Sequence, residues 1–220
     1  MRVDAFIFDM DGVIVKSMPY HFKAVNQKLK EYGKEISHDF FEKECAGAKA
    51  IECIRKIFPD KDDEWRKNFV EEKQKLFRKI FVKSAKPNSG LLNLIKNLKD
   101  NNKKLLLATS SSKENAQTIL KHINVYDDFD SITTGDEVEH AKPNPKIYIV
   151  AAKKLDLDPT TCIVIEDAVY GIIAAKKAGM TAVGITTNRK KETLLDAGAD
   201  IVVDSLSDIN LEKLEDDIDG

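Results

Sequence analysis

The sequence predicts an α/β fold, a parallel sheet with helices on both faces, interrupted soon after its first strand by an all-helical insert. From about residue 91 onward, short apolar runs alternate with amphipathic helical segments, which is the rhythm of strand, helix, strand with short turns. An isolated apolar run at residues 3–8 must join the same sheet, because a lone buried strand cannot satisfy its backbone. Between Tyr20 and Val82 no strand-like alternation occurs, and apolar residues recur at helical spacing instead.

Taken in order, residues 3–8 read as a strand buried on both faces, broken by Gly12. Residues 13–19 read as a short hairpin or linker, with Ser17 and Pro19 marking a helix start. Phe22, Val25, Leu29 and Tyr32 form one helical stripe ending near Gly33, and Ile51, Ile54 and Phe58 form another. Beyond Pro59, Trp65, Phe69, Leu76 and Ile80 define a third face. Lys86-Pro87-Asn88-Ser89-Gly90 is a linker by composition. The expected domains are therefore residues 1–15 with 86–220, and residues 16–85, the insert being expected above the carboxyl edge of the sheet. Within the first, residues 91–98 read as a helix and 104–108 as a buried strand. Further strands fall at 132–134, 162–165, 181–185 and 201–203, separated by helices at 114–122, 145–155, 169–178 and 190–197.

Composition excludes several function classes. A chain of 220 residues can bury roughly 70% or more of its unfolded surface and needs no staples. The three cysteines, Cys45, Cys53 and Cys162, show neither zinc spacing nor an even set for a disulfide framework, and fit a reducing, cytoplasmic setting. Residues 3–8 are too short for a signal-peptide core, and no stretch approaches the ~20 apolar residues of a membrane span. Lys plus Arg number 35 against 37 for Asp plus Glu, so no basic excess points to nucleic acid. Nothing marks an obligatory protein partner.

Four stretches carry chemistry. Asp9 and Asp11 end the first strand, where i and i+2 point to one side of the pleat. Such close like charges need a cation or a proton between them, unless both are simply solvated. Leu107-Ala108-Thr109-Ser110-Ser111-Ser112 ends a strand in four hydroxyls ahead of a helix, a pattern for an anion site as well as for capping. Ala141-Lys142-Pro143-Asn144-Pro145 restrains a lysine beside a proline, or forms a turn. Ile163-Val164-Ile165-Glu166-Asp167 ends another apolar run in acids. In one crevice at the carboxyl edge they make a phosphoryl-transfer site. Asp9 and Asp167 would hold Mg²⁺, Thr109 and Lys142 would hold phosphate oxygens, one carboxylate would be the nucleophile, and Asp11 would move the proton.

The chain resembles the haloacid dehalogenase superfamily over nearly its whole length. Asp9-Met10-Asp11-Gly12 is similar to motif one, Thr109 to motif two, Lys142 to motif three and Glu166-Asp167 to motif four. The insert resembles the helical cap of the subfamily with β-phosphoglucomutase and phosphoglycolate phosphatase. The resemblance implies a Rossmann-like core, a phospho-Asp9 enzyme, and a Mg²⁺ cofactor held by Asp9, Asp11, Glu166 and Asp167, with Asp11 giving its backbone carbonyl. The second acid, Asp11, argues against dehalogenation.

Caps of this kind read the leaving group, and Lys73 falls within the apolar stripe of the third helical segment. The resemblance makes Lys73, the hinge-proximal His21 and the cap-loop Gly47 substrate contacts, with Ser110 and Asn144 in the core. The arginine that mutases carry after that glycine is absent from Gly47-Ala48-Lys49-Ala50; Lys49 stands nearest and cannot make the same bidentate contact. The expected function is hydrolysis of a small phosphorylated metabolite, a sugar phosphate. A β-phosphoglucomutase is the alternative, and a non-enzymatic phospho-aspartate switch a more distant one.

Overall fold

The computed structural model describes residues 2–45 and 50–214. The chain divides into two compact units, Met1–Lys16 with Lys86–Gly220, and Ser17–Ala85. Each is built on its own core.

The first unit is a six-stranded, wholly parallel sheet. Its strands are β1 (Ala5–Phe8), β2 (Lys104–Thr109), β3 (Ser131–Thr134), β4 (Cys162–Glu166), β5 (Thr181–Ile185) and β6 (Ile201–Val203), as the alternating runs predict. They are continuously apolar because helices cover both faces of a parallel sheet. The helices are α5 (Leu91–Asp100), α6 (Lys113–His122), α7 (Lys146–Lys153), α8 (Val169–Lys177) and α9 (Lys191–Asp196). The strand order, β3-β2-β1-β4-β5-β6, means that the chain winds outward from β1 on one side and returns on the other. β1 and β4 therefore flank the point where the order reverses, and in sheets of this class ligands bind outside the carboxyl ends there.

Register decides what meets at that point. Phe8 pairs with Leu107 on one side and Ile165 on the other, so Asp9, Ala108 and Glu166 follow at one level. Side chains alternate along a strand. Ile7 of β1, Ala108 of β2 and Val164 of β4 share a buried cluster with Ile147 and Tyr148 of α7 and Ile172 of α8. Two positions after Ile7 and Val164, Asp9 and Glu166 continue toward that face.

The second unit is helical: α1 (Met18–Leu29), α2 (His38–Glu44), α3 (Ala50–Ile57) and α4 (Asp63–Phe81). Sequence periodicity did not separate α2, a seven-residue helix capped by the Ser37 side chain, which accepts from Phe40 N. Val25 and Leu29 of α1, Phe41 of α2, Ile54 of α3, Phe58 and Phe69 form the core of this unit. Arg66 is buried, and its guanidinium donates to the carbonyls of Phe58 and Pro59 at 2.9–3.1 Å while pairing with Asp63. The cation thereby satisfies carbonyls just past the end of α3.

Two sequence expectations change here. The buried stripe of α4 is Arg66, Phe69, Lys73, Phe77 and Phe81, whereas Trp65, Leu76 and Ile80 are only half-buried. Phe77 stacks on His21 and Phe81 meets Tyr20 edge-on, so aromatic contacts with α1 rotate the face by about one position. Cys45 and Cys53 are also joined in a disulfide, where the cysteine count predicted none. Cys45 closes α2 and Cys53 lies within α3, with their Cα atoms 4.8 Å apart, within bridging range; a spacing rule does not see which helices come together. No helix of the described residues is long and apolar enough to cross a membrane.

Candidate active site

Asp9 leaves the end of β1 with its backbone N–H donating to Ile165 O of β4, and its carboxylate is buried. Lys142, from the turn before α7, places Nζ 2.6 Å from Asp9 Oδ1 and 2.6 Å from Glu166 Oε1. The Lys142 side chain is 8% exposed, so this bridge is shielded from water. Glu166 Oε2 accepts from the backbone N–H groups of Asp167 and Ala168 at 3.0 and 3.1 Å. Asp167 Oδ2 accepts from Asn188 Nδ2, on the loop after β5, at 2.5 Å.

Asp11 is oriented separately. Its Oδ2 accepts from Ser111 Oγ at 2.8 Å, and Ser111 N–H in turn donates to the fully buried Thr109 Oγ1 at 3.1 Å. The two acids two positions apart are therefore tied to different partners, one to a lysine and one to a hydroxyl. The loop carrying them is pinned by Asn88, whose Nδ2 donates to the carbonyls of Gly12 and Val13 at 2.9 and 2.7 Å.

Gly12 has φ of +91°, and a Cβ there would lie 2.0 Å from Asp167 Oδ2 and 2.7 Å from Asn188 Nδ2. Both the backbone and the space demand glycine. Gly12→Ala is expected to displace Asp167, lowering kcat/KM at least about a hundredfold and destabilising the fold by roughly 1–3 kcal/mol, as read by steady-state kinetics and thermal melting.

One carboxylate oxygen each from Asp9, Glu166 and Asp167 lie within 4.8 Å of one another. Asp11 adds its charge to that of these three acids, and Lys142 pairs with two of them, Asp9 and Glu166. Burial, followed by the charges of Glu166, Asp11 and Asp167, raises the Asp9 carboxyl well above the usual range despite Lys142. Burial and then Glu166 push Asp167 up to about 7. Burial opposes the charge on Lys142, but Asp9 and Glu166 outweigh it and hold the ammonium protonated. The negative charge exceeds what Lys142 offsets, and hard oxygen donors around such a deficit suit a divalent cation such as Mg²⁺.

The remaining sequence-predicted residues separate. Ser110 is exposed, whereas its neighbour Ser111, not singled out from sequence, makes the bond to Asp11. Asn144 Oδ1 accepts from Lys146 N–H at 2.9 Å at the start of α7. In the helical unit, Lys73 is buried and its Nζ lies 2.9 Å from His21 Nδ1; the imidazole stacks on Phe77 at 3.7 Å. Gly47 and Lys49 lie outside the described residues. Sequence reasoning missed Asn88, Ser111, Tyr148 and Asn188, of which only Ser111 carried a signal, as one of four consecutive hydroxyls.

Residues 6–185 match the profile of the haloacid dehalogenase-like hydrolases. The chain is 34% identical over 221 residues to a β-phosphoglucomutase of Bacillus subtilis, covering 97% of this chain and 94% of that one. It is 30% identical over 217 residues to a phosphorylated carbohydrates phosphatase of Thermotoga maritima, covering 96% and 99%. Among solved structures, a HAD hydrolase of family IA, variant 3, from Entamoeba histolytica superposes with a TM-score of 0.91 at 31% identity, covering 99% of this chain and all of that one.

Proposed function

The chain belongs to the haloacid dehalogenase-like hydrolase family, and from that membership we propose that it is a Mg²⁺-dependent phosphohydrolase of a small sugar phosphate, working through a phospho-Asp9 intermediate. The observation that carries this reading is the division of labour between the paired acids. Lys142 stabilises Asp9 as a carboxylate at the switch point of the sheet, while Asp11 is turned to a neutral hydroxyl and can exchange a proton.

In the proposed reaction an Asp9 oxygen attacks phosphorus, and the bond from phosphorus to the leaving oxygen breaks as Asp11 delivers its proton there. Asp11 then takes a proton from water, whose oxygen attacks phosphorus and returns the Asp9 carboxylate with inorganic phosphate. Lys142 and the Thr109–Ser111 turn offset charge developing on the phosphoryl oxygens. Asp9, Asp167 and the Asp11 carbonyl would hold Mg²⁺, which supplies charge neutralisation at the transferring group. Glu166, given as a ligand by the resemblance, is assigned instead to hold Lys142 and the Asp167 backbone, because four donors already occupy its two oxygens.

The sugar-phosphate class is supported by relatives named β-phosphoglucomutase and phosphorylated carbohydrates phosphatase. Lys73, steadied by His21, is proposed as a cation recognising the substrate. Lys73→Ala is expected to raise KM about tenfold with kcat changed less than about threefold; equal KM values would remove that role.

A panel of phosphorylated sugars with Mg²⁺, assayed for inorganic phosphate and for isomerised product, tests the whole reading. Release of phosphate supports it. Glucose 6-phosphate formed from β-glucose 1-phosphate without free phosphate would make the protein a mutase, with a sugar hydroxyl in place of water.

A further inference from the structure

Tyr148 is fully buried on α7, on a face otherwise formed by Ile147, Ala151 and Ala152, where a phenylalanine would fill the same space. Its one polar atom has a definite destination. The hydroxyl donates to Glu166 Oε1 at 2.7 Å, the oxygen that also meets the Lys142 ammonium. The ring lies with its centroid 4.9 Å from that ammonium. Glu166 Oε2 is taken up by two backbone N–H groups, so both acceptor positions of Oε1 are shared between Tyr148 and Lys142. On the other side Gly171 of α8 comes so close that a Cβ there would lie 1.9 Å from Oε1. The carboxylate has no room to turn.

We propose that Tyr148 is a positioning residue for the reaction: its hydroxyl and ring set how far the Lys142 ammonium sits between Glu166 and Asp9. The inference rests on the phosphoryl-transfer reading of the site. Its physical basis is competition at one oxygen. With the phenol present, Glu166 Oε1 is answered by two donors and its pull on Lys142 is divided. Without the hydroxyl, Lys142 is the one donor of the two left on Oε1, and the ammonium is drawn toward Glu166 and away from Asp9 Oδ1. Tyr148 touches neither substrate nor the reacting atoms, and acts only through these two residues.

Tyr148→Phe removes the hydroxyl and keeps the ring. Normalised to active sites by the burst of product, kcat is expected to fall about tenfold with KM within about twofold of wild type. In a Lys142→Gln background the same change is expected to have no further effect, because the group it positions is gone. A role in packing alone would lower the melting temperature equally in both backgrounds and leave kcat per active site intact. Either an unchanged kcat in Tyr148→Phe beside an active wild type, or an equal loss in both backgrounds, would overturn the proposal. A readout independent of any substrate is the ¹H–¹⁵N spectrum of protein labelled at lysine Nζ. The resonance assigned to Lys142 by its absence in Lys142→Gln is expected to shift or broaden in Tyr148→Phe, and an unchanged signal would also overturn it. Failure of the wild type to act on any sugar phosphate, by contrast, counts against the hydrolase reading and leaves the spectroscopic result to decide the contact.

Discussion

Asp9→Asn is expected to abolish turnover while leaving the metal-free protein at least as stable as wild type at pH 8. The amide has the shape of the carboxylate but cannot attack phosphorus, so the proposed covalent route would be lost and kcat should fall by at least about a thousandfold. Stability moves the other way because of how Asp9 sits. Burial first, then repulsion from Glu166, Asp11 and Asp167, raises its carboxyl against the opposing effect of Lys142. For a group whose folded pKa is raised, stability is fully present below the unfolded value and is lost as pH rises through the folded one. Above the unfolded value and without metal, Asp9 therefore costs stability, which the neutral amide removes, while Lys142 keeps Glu166 as its partner. Phosphate release under single-turnover conditions and melting in chelator are the two measurements. Residual activity above about 1% would place the nucleophile elsewhere, and a lower melting temperature would mean that the pair with Lys142 dominates the energetics of Asp9.

The contrast between Asp9 and Tyr148 shows what was legible in the sequence. Asp9, Thr109, Lys142 and Asp167 could be found because each follows an apolar run or precedes a helix, and a polar residue there interrupts a pattern that packing imposes. The parallel sheet was legible for the same reason, since strands covered on both faces read as continuous apolar runs. Tyr148 interrupts nothing. It occupies an apolar stripe, and only the register that carries Glu166 to the same face of the sheet gives its hydroxyl a partner. Asn188 and Asn88 are polar residues in loops, where polarity is unremarkable, and their targets lie 21 and 76 positions away. The disulfide and the rotated face of α4 likewise depend on how helices of the insert meet, on which helical periodicity is silent. What the sequence conceals is the set of residues that hold the site's groups in place.

Magnesium is expected to stabilise the protein in proportion to how far its acids are forced to ionise. Asp167 has an unfolded pKa near 3.8 and is pushed up to about 7 in the fold, by burial and then by Glu166, against the bond from Asn188. The folded, metal-free state thus holds a proton that the unfolded chain gives up. Stability from this group is complete below about pH 4, declines as pH rises, and is lost above about pH 7; the span corresponds to about 4 kcal/mol. Asp9, raised for the same first cause, adds to the decline. A divalent cation binds the ionised carboxylates and must displace the proton at low pH, so its stabilising effect runs opposite to this loss. Melting curves in chelator should therefore show a falling temperature from pH 5 to pH 8, and the increment produced by Mg²⁺ should be small at pH 5 and several degrees at pH 8. Asp167→Asn should make the metal-free profile shallower and shrink the increment together, since that carboxylate contributes to both. A Mg²⁺ increment equal at the two pH values, or a metal-free profile that rises through neutrality, would show that the surplus charge at the end of β1 and β4 is relieved by some group other than a bound cation.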